Sequence, residues 1–345
     1  MSRSRSAVAA LWLAAAYPIA LLALSIQQVL APQRNGLLAI GQIVAPHLFL
    51  TALLLVPLAL VRGGPLLRRP RAGLRVALAT LIVVGLILFL PGMVSLPPFE
   101  TPDAARASVT SWNRQALDGP TAEEVVAVVR ASPSAVLAIQ ELRPEDAALI
   151  AADTALAERY PYRVLRPHEG TYGMGLLSAY PILEEGWRDE PHTVWARLDL
   201  GDGREMVVIN THPLPAEITT LDDLPLPVGY DARGRDAAIG RLRSELVDPL
   251  LARGESLVLL GDFNTTVREP VFTELVAGLV DVHASVGLGP GSTWRPDRLE
   301  WLPLGLLRID HVFVGPGITA LRIATDCTSR GSDHCIVHAV LEQDL

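Results

Sequence analysis

Three long runs without a charge dominate the first hundred residues: Ala7 to Ile26, Leu37 to Val61 and Val76 to Pro98. Each is long enough to cross about 30 Å of hydrocarbon as a helix. The alternative is a set of buried helices in a soluble core, which three such runs in succession disfavour. Pro18, Pro46 and Pro57 are tolerable in such helices where neighbours re-satisfy the backbone. His47, in the second run, reads as an interfacial or bundle-facing residue, with a proton role the weaker alternative. Residues 95–106 are rich in Pro and acid with no period, so the chain divides into a membrane part (1–98), a linker (99–106) and an outer part (107–345). Twelve extended residues span at most about 40 Å, which keeps the outer part close to the bilayer.

From Ala107 the pattern changes to strands alternating with helices. Strands are expected at Ser108–Trp112, Ala135–Ile139, Met174–Ser178, Thr193–Leu200, Glu205–Asn210, Ser256–Leu260, Ile309–Val314, Thr319–Ala324 and Cys335–Leu341. Helices are expected at Thr121–Ala131, Pro144–Glu158, Asp231–Leu251 and Pro270–Gly278. Gly201-Asp202-Gly203 signals a hairpin between two of the strands. Hairpins mixed with helical crossovers predict a layered α/β fold. There is no internal repeat and no low-complexity segment.

Charge sharpens the division. Residues 1–99 hold eight Arg and no acid; the remainder holds all 37 acids against 21 Arg, a net charge of −16, and the chain has no Lys. Arg3 and Arg5 precede the first run, only Arg34 separates the first two, and Arg62, Arg68, Arg69, Arg71 and Arg75 crowd between the second and third. The positive-inside rule then puts the N-terminus and the 62–75 loop in the cytoplasm and everything beyond residue 98 outside. A cleaved signal in place of the first span leaves that orientation unchanged. Cys327 and Cys335 both fall in the outer part, where an oxidising compartment permits a disulfide; spacing alone leaves a bridge and two free thiols both open.

The chemistry gathers where apolar strands run out. Leu259-Leu260-Gly261-Asp262-Phe263-Asn264 ends an apolar strand in a carboxylate and a carboxamide two residues apart, facing the same way. The alternative is an Asx-turn that only satisfies the local backbone. Ser111-Trp112-Asn113, Ile139-Gln140-Glu141 and Asn210-Thr211-His212 end other strands, and Arg308-Ile309-Asp310-His311 and Gly331-Ser332-Asp333-His334 open two more. Taken singly, Glu141 could be a helix cap, His212 a loop histidine and Asp310 a strand-edge residue. Six such ends in a chain with eight His are hard to attribute to six separate caps.

With these motifs in this order, residues 107–343 resemble the endonuclease/exonuclease/phosphatase superfamily, the fold of deoxyribonuclease I, exonuclease III-type abasic endonucleases, neutral sphingomyelinases and inositol-polyphosphate 5-phosphatases. The Gly-Met-Gly-Leu-Leu-Ser-Ala-Tyr-Pro-Ile stretch at 173–182 matches a further family element. The membrane-anchored arrangement resembles a bacterial branch linked to teicoplanin resistance and lipid-carrier pyrophosphates. The resemblance implies an α/β sandwich of two central mixed sheets flanked by helices, here preceded by three transmembrane helices. It implies divalent metal, Mg²⁺ with Mn²⁺ as the alternative, bound by Glu141 with Asn113 close by and Asp333 assisting. Asp262 would orient or deprotonate the attacking water, and Asn264 would hold the phosphate. His212 and His334 would stabilise the pentacovalent phosphate or protonate the leaving oxygen, with Asp310 fixing the His334 tautomer. Where many relatives carry Arg, this chain has Ala179. Arg235, on the long helix, is a substitute cation or a solvated helix position. Trp294, beside Thr293, is a site residue or a core anchor.

The bare physics agrees: hydrolysis of a phosphodiester or pyrophosphate needs a cation, an oriented water and a proton source. An acidic outer part without Lys lacks the footprint that dominates DNA affinity. A lipid-linked phosphate or pyrophosphate is therefore the expected substrate, with an extracytoplasmic nuclease as the alternative and a non-catalytic scaffold behind both. Trp301, Leu302, Leu304, Leu306 and Leu307 form an apolar loop expected either to touch lipid or to pack inward.

Overall fold

The structure, a computed structural model, describes residues 2–61, 64–95, 105–221, 224–299, 301–328 and 330–343. The expected linker lies outside these residues except for Ala105 and Arg106, and so does Arg62. The chain forms two units. The first holds residues 1–91, 217–231 and 268–270; the second holds the rest.

In the first unit the helices are α1 (Ser2–Leu30), α2 (Leu37–Ile43), α3 (Ala45–Ala52), α4 (Val56–Leu60) and α5 (Arg68–Phe89). α1 and α5 lie in helices long and apolar enough to cross a membrane. Pro18 sits inside α1 without breaking it. The second apolar run differs from the straight span expected of it. It bends by 68° between α2 and the segment Ala45–Leu60. Pro46 and Pro57 fall in the first turns of α3 and α4, where a missing N–H is harmless but where the preceding helix ends. The described residues thus hold two candidate spans, or three if the bent pair counts as one. Leu11, Ala15, Phe49, Ala52, Leu74, Leu78 and Leu81 form the buried seam of this bundle, and outward Leu13, Leu54, Ile87 and Val76 remain exposed.

The second unit is an α/β sandwich. Its elements are β1 (Ala105–Asn113), α6 (Ala122–Ala131), β2 (Val136–Gln140), α7 (Pro144–Ala152), α8 (Thr154–Arg159), β3 (Tyr162–Arg166), β4 (Met174–Ser178), β5 (Ile182–Asp189), β6 (His192–Gly201) and β7 (Arg204–His212). The chain then leaves for a two-stranded ribbon of the first unit, β8 (Glu217–Leu221) and β9 (Leu224–Asp231). It continues in α9 (Arg233–Leu242), a π-helical turn at Arg243–Val247, α10 (Asp248–Ala252), β10 (Leu257–Asp262), α11 (Pro270–Leu275), β11 (Val280–Asp281), α12 (Val282–Val286), β12 (Asp310–Val314), β13 (Ile318–Asp326) and β14 (Ile336–Gln343). One six-stranded sheet has the order β13-β14-β1-β2-β4-β3 and the other β11-β12-β10-β7-β6-β5.

Alternation places the core. Val109, Ala138, Leu176, Val194, Val208, Leu260, Val312 and Ala339 meet between the sheets. The other side chains of the same strands pack outward: Leu137, Ile139 and Leu177 against Val125, Val129 and Ile150 of α6 and α7, and Val207, Ile209 and Leu259 against Ile239, Leu242 and Leu250 of α9 and α10. Strands buried on both faces read as the continuous apolar runs seen in the sequence, and each fully buried aliphatic side chain contributes about 1.5–3 kcal/mol. Thr121 and Glu124 cap α6 reciprocally, Thr121 Oγ1 accepting from Glu124 N at 3.3 Å and Glu124 Oε2 accepting from Thr121 N at 2.8 Å. The helix expected over 144–158 is two helices, because Asp153 accepts from Leu156 N and starts α8 anew.

The register of the middle strands brings the polar ends together. β1 and β2 run parallel, with Asn113 beside Gln140. β7 and β10 run parallel with Thr211 beside Gly261, and β12 runs antiparallel with Asp310 opposite Asp262. A polar staple under that edge joins the two sheets. Gln140 Nε2 donates to Asn210 Oδ1 at 2.6 Å, and Asn210 Nδ2 donates to Ile139 O and Gly175 O at 3.0 and 2.9 Å.

Candidate active site

Asp262 is the centre. Its two oxygens divide the work: Oδ1 accepts Asn264 N at 2.9 Å, closing an Asx-turn, while Oδ2 accepts Asn113 Nδ2 at 3.0 Å and lies 3.4 Å from His212 Nε2 and 3.6 Å from His334 Nε2. One oxygen thus closes the Asx-turn, and the other faces the amide and the two imidazoles. Asn264 follows with φ of 50°, which turns the chain back. Its Nδ2 donates to Pro213 O at 3.0 Å and sits 3.3 Å from His212 Nε2. Gly261 is required just before: its φ is 141°, and a Cβ there would lie 2.0 Å from Thr211 O.

Glu141 closes one side. It has φ of 59°, an unusual conformation for a residue other than Gly, of the kind that gathers at functional sites. Its Oε2 accepts Ala116 N at 2.7 Å, and its Oε1 accepts Asn113 Nδ2 at 3.1 Å, 3.8 Å from His212 Nε2. One amide therefore bridges two carboxylates, while Asn113 Oδ1 is held by Gln115 N at 2.9 Å.

His334 closes the other side. Its Nδ1 lies 2.9 Å from Asp310 Oδ2 and its Nε2 lies 3.8 Å from Asp333 Oδ1. Thr293 Oγ1 accepts Ile309 N and Asp310 N at 3.2 and 3.1 Å, fixing the start of β12. Trp294 Nε1 donates to Asp333 Oδ2 at 2.7 Å, so Trp294 is tied to the site by a polar contact. Cys327 and Cys335 are joined in a disulfide that brackets the loop carrying Asp333 and His334.

Electrostatics set the protonation states. Burial alone would raise the Asp262 carboxyl, but the neighbouring His334 and His212 overcome it and hold the group at about 2. Burial would likewise lower His334, yet Asp310 and Asp262 carry it up to about 10. Burial works against the His212 cation too, and Asp262 and Glu141 raise it. Burial pushes Asp333 up to about 6. The pattern is an ionised carboxylate between a protonated His334 and a His212 whose cation its neighbours favour, with His334 Nδ1–H donating to Asp310 and Nε2–H facing inward. His212 Nδ1–H is turned to Thr171 O at 3.2 Å, which likewise leaves its Nε2 inward.

All eight residues singled out in the sequence, Asn113, Glu141, His212, Asp262, Asn264, Asp310, Asp333 and His334, fall in this one network. Their neighbours in the motifs do not. Arg308 pairs with Asp281 at 2.9 and 2.8 Å. His311 lies among Phe263, Phe272 and Phe313, where burial lowers it to about 3. Arg235 is buried rather than solvated: Nη1 donates to Asn264 O at 2.7 Å, and Nη2 pairs with Asp236 at 2.8 Å. It braces the turn behind Asn264. Gln115 was not legible in the sequence. Its Oε1 accepts Asp333 N at 2.9 Å, and its Nε2 donates to Asp297 Oδ1 at 2.9 Å, linking the loop after β1 to the His334 loop. In the 301–307 loop, Leu306 N and Leu307 N donate to Trp294 O, while Trp301 and Leu304 stay exposed. His192, opposite His212 across β6 and β7, lines a cavity of about 410 Å³ with Arg166, His168, Tyr172 and Trp187.

Carboxylates and a carboxamide suit a hard cation with oxygen ligands. Asp262, Asp310 and His334 lie close enough together to share a metal ion, but an imidazolium hydrogen-bonded to Asp310 offers no lone pair. Glu141 and Asp262 share the N–H groups of the Asn113 amide, and their oxygens are the donor type such a cation takes.

Known proteins share the fold that carries this arrangement. The 3′ phosphatase NExo from Neisseria, bound to a product DNA hairpin, superposes with a TM-score of 0.53 at 22% identity, covering 69% of this chain and 100% of that one. An endonuclease/exonuclease/phosphatase family protein from Bacteroides thetaiotaomicron gives 0.52 at 18% identity, covering 70% and 100%. A functionally unknown conserved protein from Enterococcus faecalis gives 0.51 at 18%, covering 69% and 100%. At such identities the likeness shows the fold. No curated protein matches the sequence. The profile of the Endonuclease/Exonuclease/phosphatase family matches residues 110–334, from β1 to His334 itself, and the chain belongs to that family.

Proposed function

We propose that the protein is a membrane-tethered, metal-dependent phosphohydrolase with its site outside the cytoplasmic membrane, acting on a lipid-linked phosphate or pyrophosphate. The observation that carries the reaction type is the placing of Asp262 Oδ2 3.4 and 3.6 Å from the inward Nε2 atoms of His212 and His334. A water on Oδ2 would be oriented by Asp262 and Asn264 for in-line attack on phosphorus, giving its proton to the carboxylate. His212 would donate to a non-bridging phosphate oxygen as charge builds. His334, kept protonated by Asp310, would deliver Nε2–H to the leaving oxygen or stabilise its charge. Glu141, with Asn113 and Asp333, would hold Mg²⁺; for Asn113 this means offering Oδ1 in place of its contact with Gln115. The cation, when bound, supplies charge neutralisation on the phosphate oxygens.

Substrate and location rest on other support. Two helices are long and apolar enough to anchor the chain, and the eight Arg without acid in residues 1–99 favour an outward catalytic unit. The disulfide suits an oxidising compartment. A tether raises the effective concentration of a bilayer-borne substrate, and −16 without Lys disfavours nucleic acid. The second reading, an extracytoplasmic nuclease, is favoured by the fold shared with a DNA-bound 3′ phosphatase. The purified chain in Mg²⁺, given a polyprenyl pyrophosphate and plasmid DNA side by side, separates the two. Phosphate release from the lipid is expected; DNA nicking without lipid turnover would replace the first reading with the second.

A further inference from the structure

Between His212 and α9 the chain makes an excursion that the phosphoester chemistry does not use. Among the described residues, β8 and β9 form a ribbon without a third strand, and every residue of β8 is exposed. The ribbon carries an aliphatic surface: Ile218 is 61% exposed, Leu221 47%, Leu226 55% and Val228 42%. A two-stranded ribbon is marginal in water by itself, and exposed aliphatics of this density mark a surface with a partner.

The ribbon is part of the helical unit. β9 packs on α2, Gly36 N donates to Tyr230 O at 2.8 Å, and Tyr230 Oη donates to Glu269 Oε1 at 2.5 Å. Arg268, in the companion stretch 268–270, donates to Gln28 Oε1 and stands 4.7 Å over the Phe89 ring. Gln28 is at the C-terminal end of α1, Phe89 is the last residue of α5, and Gly36 directly precedes α2. All these contacts therefore fall at one end of the bundle. Arg68, Arg69 and Arg71 open α5 at the other end.

We infer that the β8–β9 ribbon lies in the headgroup–acyl boundary of the leaflet at that end, its aliphatic side chains in contact with lipid. This rests on the proposed membrane anchor, because the helices set the depth. The sequence of the ribbon fits a boundary rather than the hydrocarbon centre. Pro225 and Pro227 each leave the strand one N–H fewer to satisfy away from water. In the sequence, Asp222 and Asp223 separate β8 from β9, and such charges belong with headgroups and water rather than hydrocarbon.

The test uses the full chain in phosphatidylcholine nanodiscs, with single nitroxide labels on Leu226→Cys and, separately, Val228→Cys. Leu54→Cys on the helices and Arg322→Cys on β13 serve as lipid and water references. The readout is accessibility to oxygen against that to a water-soluble nickel chelate. Both ribbon labels are expected at a depth between the references, with the oxygen-to-nickel accessibility ratio at least about three times that at Arg322→Cys. A ratio equal to that at Arg322→Cys, with Leu54→Cys still in lipid, overturns the inference and leaves the anchor standing. Water-like values at Leu54→Cys as well overturn both.

Discussion

The edge of the sandwich that holds Asp262 and the ribbon at 217–231 are both places where strands run out of core, and they are stabilised in opposite ways. At the site edge, apolar strands buried on both faces end in polar side chains that hold one another: Asn113, Glu141, Asp262, His212 and His334 are linked in one network. In the ribbon, exposed aliphatic residues stand on backbone whose described residues fall in no core cluster. Polar groups buried in low dielectric demand exact partners and so fix a geometry, whereas exposed aliphatics demand only an apolar surround. One region is defined from within and the other by what lies outside it.

The contrast can be broken or sharpened by substitution, and the largest effect is expected at Asp262. Asp262→Asn keeps an oxygen for the Asn264 N–H but removes the charge, so phosphoester hydrolysis should fall by about 10²–10⁴-fold with the fold intact by circular dichroism. A cellular phenotype that survives the change would show that catalysis is not the function. Gly261→Ala forces a Cβ against Thr211 O and should lower stability by about 3 kcal/mol, read as a fall in the thermal midpoint. Removing the disulfide with Cys327→Ser and Cys335→Ser together should cost about 2–3 kcal/mol for so short a loop, with a matching loss of activity because Asp333 and His334 lie inside it.

Asp310→Asn should act through pH. Because His334 is raised from 6.5 to about 10, its ion pair contributes fully below about 6.5 and is lost as pH rises through about 10. Without the Asp310 charge the alkaline limb of the rate profile should move toward neutral pH, with about a ten-fold loss at pH 8 on the scale that one pKa unit sets. An unmoved limb would remove His334 as the proton source. The smallest effect belongs to the ribbon: Ile218→Ser should shift stability by no more than about 0.5 kcal/mol and leave turnover of a soluble phosphodiester unchanged. A large loss there would mean that the ribbon, too, is held from within.

The same contrast explains what could be read from residues alone. β4 and β10 are buried at every position, and their apolar runs ending in Gly-Asp or Ser announced both the sheet and the site. β3 and β5 alternate poorly and are half exposed, so their strands left no pattern. No strand is expected at β9, because Pro225, Pro227 and Gly229 are uncommon inside strands. Arg235 was misread because helical spacing cannot distinguish a solvated guanidinium from one buried against Asn264 O. Gln115, with φ of 58°, lies off any strand or helix, and no periodicity points to it. The bend in the second apolar run lies at the break beside Pro46, with Pro57 at the start of α4, and the effect of such prolines depends on which neighbours restore the backbone.

The division of the chain has a practical side. Residues 217–231 and 268–270 belong to the helical unit although they are flanked on both sides by the sandwich. The polypeptide therefore passes from one unit to the other not once, near residue 91, but again at each end of both stretches. Cleavage in the 96–104 segment would open one connection and leave four. A soluble enzyme made by starting the chain at β1 would carry two pieces cut from their helices, so genetic dissection of this protein has to excise or replace those stretches as well as the anchor.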